Sequence, residues 1–293
     1  MPRISKLLTA LALLVALALV AVLILVLSRP APATPLPNPN GYDDLVKAGR
    51  MLAGDFSNFG AADEPVLEKL VTNNIPACSL ARTGLSRDSC VPPFSFTEFA
   101  DHAQDFSSFK HLAQAFAAEG RLAELQGRPV QAAEAYLDTI RLAQSLTRGG
   151  VIIHGLVAVA CEATGTARLE KLVSGLDAAG CRKVAASLEA IESRRVMPEQ
   201  IAAEERRWGR RSGLKYQFAW VVEFRTMRQT EKGFIQRAKA QILRVRRLEA
   251  DFAARAYELE HGTRPPSLAA LVPTYLKALP QDPTTRSNLV YRP

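Results

Sequence analysis

One uncharged run, residues 7–27 (LLTALALLVALALVAVLILVL), most constrains how this chain can fold. It contains 21 residues, and Thr9 is its one polar side chain. A helix of that length, at about 1.5 Å per residue, matches the roughly 30 Å hydrocarbon core of a bilayer. Because a backbone in lipid must satisfy its own hydrogen bonds, the run predicts a transmembrane helix. A cleaved signal peptide is the alternative, although signal peptides have shorter apolar regions of about 7–15 residues.

The charges around this run predict its orientation. Arg3 and Lys6 precede it, whereas Arg29 is the one cation between the run and Lys47. Since positively charged flanks stay in the cytoplasm, the N-terminus is expected inside and the body outside. The chain is therefore predicted to be a single-pass, signal-anchored protein of the inner (cytoplasmic) membrane, with an extracytoplasmic or periplasmic body.

A proline-rich segment follows the run. Residues 29–40 contain five prolines, a composition that favours an extended spacer of about 35 Å at about 3.1 Å per residue. The expected organisation is a cytoplasmic stub and anchor (1–28), a linker (29–41), a helical ectodomain (42–233), and a long amphipathic helix with a tail (234–293).

Apolar spacing of three to four residues dominates the body and predicts an all-α ectodomain. Gly127, Ala132 and Tyr136 have the spacing of a helical hairpin, with glycine at the turn and alanine at the close approach. The longest amphipathic helix of the body is expected to end at His261, followed by Gly262. Beyond it, a small irregular tail has room for one short strand.

The four cysteines raise the question of disulfides in an oxidising compartment. Cys78 and Cys90 flank a loop-like segment between two prolines, and they are the predicted pair. Whether Cys161 and Cys181 pair stays open. The spacing of the cysteines does not match a zinc site.

The positive charge is concentrated in residues 194–247, which hold 15 Lys and Arg against 5 Asp and Glu. This basic block is either a solvated helix face or a surface for anionic lipid, an envelope polymer or an acidic protein. Nucleic acid is not an expected partner, because the body is predicted to be extracytoplasmic. The residues proposed for a membrane or partner surface are Arg206, Arg207, Trp208, Arg210, Arg211, Lys215 and Trp220.

Catalytic motifs are not evident, and no catalytic, cofactor-binding or metal-binding residue is assigned. His102 with Asp101 and Asp105 could suggest a metal or acid–base site, but a solvated helix face is the favoured interpretation. His154 lies in an apolar segment and is interpreted as a core histidine.

The last 60 residues carry a more specific pattern. A long helix containing Tyr257 ends at His261-Gly262, and Pro265, Leu279-Pro280, Asp282-Pro283 and Tyr291 follow it. This pattern resembles the C-terminal part of type II secretion major pseudopilins, and it is also similar to that of uncharacterised bacterial single-pass membrane proteins. The N-terminus lacks the pseudopilin processing site, and the calcium-binding loop has no counterpart. The resemblance therefore implies a structural tail that folds back onto the long helix. Its motif comprises Tyr257, His261, Gly262, Pro265, Leu279, Pro280, Asp282, Pro283 and Tyr291.

Together these features predict a membrane-anchored extracytoplasmic protein with a structural or interaction role. Two alternatives remain open: an accessory component of a type II secretion or pilus-like system, and a membrane-tethered hydrolase.

Overall fold

The computed structural model describes residues 11–21, 23, 35–94, 98–211 and 224–290. The fold is all-α, as predicted. Its body helices are α1 (Gly41–Met51), α2 (Glu64–Asn73), α3 (Ile75–Leu85), α4 (Phe99–Leu125), α5 (Pro129–Ser145), α6 (Ile152–Leu172), α7 (Ala178–Glu192), α8 (Pro198–Arg211) and α9 (Phe224–His261). A 3-10 turn, Leu268–Leu271, begins the tail. Over the described part of the tail, Gln281 and Asn288 form an isolated antiparallel bridge instead of a strand.

The N-terminal apolar run is described only in part. Residues 11–21 are helical, and their large apolar side chains are exposed, from 52% at Val15 to 66% at Leu13. The remainder of the predicted anchor, apart from Leu23, lies outside the described residues, as does the linker up to residue 34. Across the described chain, no helix is both long enough and apolar enough to cross a membrane.

The first half of the body packs around aromatic side chains of α1 and α4. Tyr42 is buried and meets the Phe109 ring edge-on, with 5.4 Å between ring centroids. The Asn40 side chain caps α1 through Tyr42 N and also donates to Cys90 O at 2.8 Å. Burial of large aromatic groups, together with this long-range hydrogen bond, joins α1 to the segment after α3.

The α4–α5 hairpin is confirmed. Gly127 adopts a φ of +66° at the turn, which favours glycine because it has no Cβ. Across the hairpin, the Tyr136 ring fills the space beside Gly120, and its hydroxyl donates to Glu124 Oε1 at 2.6 Å. Because Gly120 has no side chain, the Tyr136 ring can pack directly against α4, and the two helices lie close together.

The second half of the body packs around α9. This helix ends at His261 and Gly262 takes a φ of +71°, as predicted, although the predicted boundary at residues 233/234 falls inside the continuous helix. Leu268 and Leu271 of the tail are buried in the same core as Phe252. The tail therefore folds back onto the long helix.

All four cysteines are buried free thiols, so the structure does not contain the predicted Cys78–Cys90 disulfide. The segment interpreted as a loop is largely the helix α3, and Cys78 lies in its first turn. Cys78 lies beside Glu119, whereas Cys90 packs against Gly149. The two thiols thus occupy separate environments.

Helices α5 and α6 approach each other closely at Gly165. A Cβ at this position would lie 1.8 Å from Thr139 Oγ1 and 2.5 Å from the Tyr136 carbonyl oxygen. Because backbone cannot move away cheaply, Gly165→Ala is expected to reduce the free energy of unfolding by about 2 kcal/mol, despite its better helix propensity. Urea denaturation followed by circular dichroism measures the change.

Gly175→Ala is the matched control, since a Cβ there meets only Leu172 O at 3.7 Å. We expect its effect to be within about 0.5 kcal/mol of zero. Equal effects of the two substitutions would contradict the proposed close packing at Gly165.

Candidate functional site

A groove of about 710 Å³ lies between α3, α4 and α5, with α7 at its rim. Its volume falls in the usual range of roughly 300–1,000 Å³ for ligand-binding pockets. Apolar side chains, including Leu85, Leu122 and Val130, line it together with a dense set of charges. We call this feature the α5 groove.

The charges of the α5 groove form an alternating chain of ion pairs. Arg82 pairs with Glu119 and, at 2.8 Å through Nε, with Asp138. Arg141 joins Asp138 at 2.8 Å to Glu134 at 3.2 Å. In order, the chain is Glu119, Arg82, Asp138, Arg141, Glu134 and Lys183, with the last two 2.9 Å apart.

Helix spacing explains half of this chain. Glu134, Asp138 and Arg141 are four and three residues apart on α5, so they share one face. Arg82 reaches this face from α3, where its guanidinium also lies 5.2 Å from the centre of the Phe116 ring. Glu119 comes from α4 and Lys183 from α7, so the full chain of ion pairs forms only when four helices pack together.

Two titratable groups at the α5 groove, Glu134 and Cys78, are poorly suited to act as a base or a nucleophile. Burial would raise the pKa of Glu134, but Lys183 and Arg141 hold it below its ordinary value. The Cys78 thiol lies beside Glu119. Burial raises the pKa of this thiol, and the nearby Glu119 carboxylate raises it further, so the thiol stays protonated. A protonated thiol is a poor nucleophile, and a paired carboxylate is a poor base.

The proposed membrane or partner surface is only partly exposed. Arg206 and Arg207 are on α8, but they pair with Glu231 at 2.7 Å and Glu204 at 3.1 Å. Trp208 does not belong to a surface: it is buried, and its Nε1 donates to Phe94 O at 2.8 Å. This corrects its assignment as an exposed aromatic, because α8 turns that side chain into the core.

Arg210 and Arg211 belong to α8, and the structure does not describe their side chains. Lys215 and Trp220 lie outside the described residues.

The tail motif assembles into a structural cluster. The rings of Tyr257 and His261 lie 4.2 Å apart, and His261 Nε2 lies 3.1 Å from the Tyr275 hydroxyl. That hydroxyl donates to Glu260 Oε2 at 2.6 Å, and Glu260 also accepts from Arg182 of α7 at 2.6 Å. The sequence pattern identified the first two residues but not their three partners.

The remaining tail residues make turns and fill the core. Asp282 Oδ1 accepts from the backbone N–H groups of Thr284 and Thr285 at 2.7 and 3.0 Å. The other members are Pro265, Pro280 and Pro283, which are buried, Leu279, which is half-buried, and Tyr291, which lies outside the described residues.

His154 is a core histidine, as interpreted. It is fully buried, and burial followed by His102 lowers its pKa to about 3, so it is neutral. Its Nδ1 accepts from Val151 N at 3.3 Å, which leaves the proton on Nε2. The Phe106 ring packs edge-on against the imidazole, with 4.9 Å between the ring centroids. A protonated Nε2 cannot bind a metal ion.

The prediction that His102, Asp101 and Asp105 form a solvated helix face is wrong for Asp105. This carboxylate is buried, and it accepts from Arg50 of α1 at 2.8 and 3.2 Å. Over the described residues, no group of three or more His, Cys, Asp or Glu side chains could hold a metal ion.

A second set of charges is buried between α6, α7 and α9. Arg195 pairs with Glu162 at 2.5 Å and with Glu192, and Arg246 pairs with Glu192 at 2.9 Å. We call these four residues the Arg195 cluster. Its side chains are between 3% and 19% exposed, so it has little access to a ligand and acts as a structural element.

Comparison with known proteins yields no relative: no family model, curated protein or solved structure matches the chain. The resemblance of the tail to pseudopilins therefore stays a prediction.

Glu249 makes the stability of this fold depend on pH. Burial, followed by the nearby carboxylates Glu192 and Glu189, raises its pKa from 4.5 to about 8, against the opposite effect of Arg246. The folded state then binds the proton more tightly than the unfolded state. The resulting stabilisation is complete below about pH 4.5 and is lost as pH rises through 8.

We expect Glu249→Gln to unfold at higher urea than the wild type at pH 8.5, with the difference shrinking towards pH 5. Between these values the difference should change by up to about 1.4 kcal/mol per pH unit. Glu68→Gln, on the exposed side of α2, is the control, and its urea unfolding should show the same pH dependence as that of the wild type. An unchanged pH profile for Glu249→Gln would contradict the raised pKa.

Proposed function

We propose that this protein is a membrane-anchored extracytoplasmic interaction protein, tethered by residues 7–27 and facing its partner with the helical body. The observation that carries the proposal is the uncharged run itself, whose described large apolar side chains are exposed. Exposing that much apolar surface to water costs roughly 25 cal/mol per Å². A bilayer removes this cost without requiring a protein partner.

The orientation follows from the flanking charges. Arg3 and Lys6 favour a cytoplasmic N-terminus, and the proline-rich linker would hold the body away from the bilayer. The proposed location is the inner (cytoplasmic) membrane with the body outside.

The α5 groove is the proposed docking surface. Its apolar residues can accept side chains of a partner, and its paired charges can accept a segment whose own charges alternate. Its rim residue Val130 is 41% exposed, so this apolar side chain is accessible to a partner. The pairing of Arg206 and Arg207 makes α8 a weaker candidate for binding anionic lipid, an envelope polymer or an acidic protein.

The two alternatives have less support. A hydrolase would need an activated base or nucleophile, whereas the groove carboxylates are paired with arginine or lysine. A role in type II secretion rests on the resemblance of the tail, whose described residues have structural contacts.

The anchor is tested with Leu14→Arg combined with Leu17→Arg. Each arginine near the centre of a membrane helix costs about 2.5–3.5 kcal/mol, so the double variant should move from the membrane pellet to the supernatant after alkaline extraction. Leu36→Arg, outside the run and 47% exposed, is the control and should stay in the pellet.

External protease on spheroplasts should digest the body of the wild-type protein. Recovery of the wild-type protein in the supernatant, or protection of its body from external protease, would refute the anchored orientation.

The docking surface is tested by a photo-reactive amino acid at position 130 in the full chain in its native membrane. We expect a discrete cross-linked species, because this position lies on the rim of the α5 groove. The same group at Val66, which is 56% exposed on α2 and does not line the groove, is the matched control. Equal cross-linking at both positions would count against the groove.

A further inference from the structure

A second cleft, of about 480 Å³, lies where three helices end. Leu85, the last residue of α3, Ser145, the last of α5, and Ile191, next to the last of α7, all line it. It is a neighbour of the α5 groove, and Arg141 contributes to both. We call it the three-helix cleft.

Cations dominate the polar lining of this cleft. Arg87 and Arg141 already pair with Asp44 and with carboxylates of α5. Arg148 and Arg194 are exposed, and neither forms an ion pair with a carboxylate of the described chain. Among the lining residues, Asp88 is the one carboxylate, so the cleft keeps a positive charge.

A hydroxyl group accompanies these two arginines. Ser187 of α7 lines the cleft, and its side chain has no hydrogen-bond partner in the described structure. By contrast, the hydroxyls of Ser89 and Ser145 donate to the carbonyl oxygens of Ser145 and Arg141, at 2.9 and 3.0 Å. Two guanidinium groups and one hydroxyl are thus free to donate.

Part of the charge has a local explanation. Arg148 and Arg194 follow the C-terminal ends of α5 and α7, where a cation gains about 0.3–1 kcal/mol from the helix dipole. That gain is small, and it would be the same if the two arginines did not line a cleft. A guanidinium that also meets an oxyanion makes charge-assisted hydrogen bonds, worth about 1.5–3 kcal/mol each.

We propose that the three-helix cleft binds the phosphate group of a small phosphorylated ligand through Arg148, Arg194 and Ser187. Guanidinium groups match the geometry of phosphate oxygens, and a serine hydroxyl adds a third donor. Leu85, Ile191 and Val196 provide an apolar wall for the organic part of the ligand. Either a free phosphate ester or a phospholipid headgroup has this chemistry. The site does not depend on the proposed membrane anchor or on the α5 groove.

Isothermal titration of the purified full chain at low ionic strength tests the site. The probes are glycerol 3-phosphate, inorganic phosphate and short-chain dihexanoyl phosphatidylglycerol below its micelle concentration. The wild type should give saturable binding with at least one of them. Saturation by glycerol 3-phosphate identifies a free phosphate ester, and saturation by the lipid alone identifies a headgroup. Absence of saturable binding by all three would overturn the proposal.

The Arg148→Gln, Arg194→Gln double variant should weaken binding at least tenfold. Arg237→Gln with Arg264→Gln is the matched control, because it removes the same charge from exposed arginines outside the cleft and should change affinity less than twofold. Equal weakening in both double variants would show non-specific attraction and refute the site.

Ser187→Ala gives an independent readout if the double variant unfolds. It removes one hydroxyl at a half-buried position without changing the charge, and it should weaken phosphate binding several-fold at an unchanged melting temperature. Wild-type affinity in Ser187→Ala would remove the serine from the proposed phosphate site.

Discussion

The body of this protein depends on one buried guanidinium. Arg195, just beyond α7, is 7% exposed and lies between Glu162 of α6 and Glu192 of α7. Glu192 in turn accepts from Arg246 of α9, and Glu162 accepts from Gln144 of α5 at 3.2 Å. Losing one partner of such a group costs about 3–5 kcal/mol, because the other charge stays buried and unpaired. The buried charges therefore fix how four helices, α5, α6, α7 and α9, pack against one another.

Two close approaches between helices complete that arrangement. Gly120 leaves room for the Tyr136 ring across the α4–α5 hairpin, and Gly165 leaves room for Thr139 where α6 crosses α5. Helix α5 therefore packs closely against α4 on one side and against α6 on another, and its remaining polar face lines the α5 groove. The groove is thus a consequence of how tightly α5 is packed elsewhere.

The candidate sites show where the reasoning from sequence succeeded and where it could not. The spacing of Glu134, Asp138 and Arg141 on one helix face can be read from the chain, whereas Arg82 is more than 50 residues away from them. The basic block was recognised as a concentration of charge, but the count could not show that Arg206 and Arg207 have acidic partners. Trp208 appeared to belong with these cations, and only its helix orientation reveals that it is buried.

Local pattern alone determined the helical class, the glycine turns at Gly127 and Gly262, and the uncharged run at the N-terminus. These depend on backbone sterics and on hydrophobic periodicity, which act over a few neighbouring residues. Tertiary structure decided which charges meet and which remain free, including the separation of Cys78 from Cys90 and the positions of Arg148 and Arg194. The physical reason is that ion pairs, thiol neighbours and clefts depend on distances between residues far apart in the chain, and packing alone sets those distances.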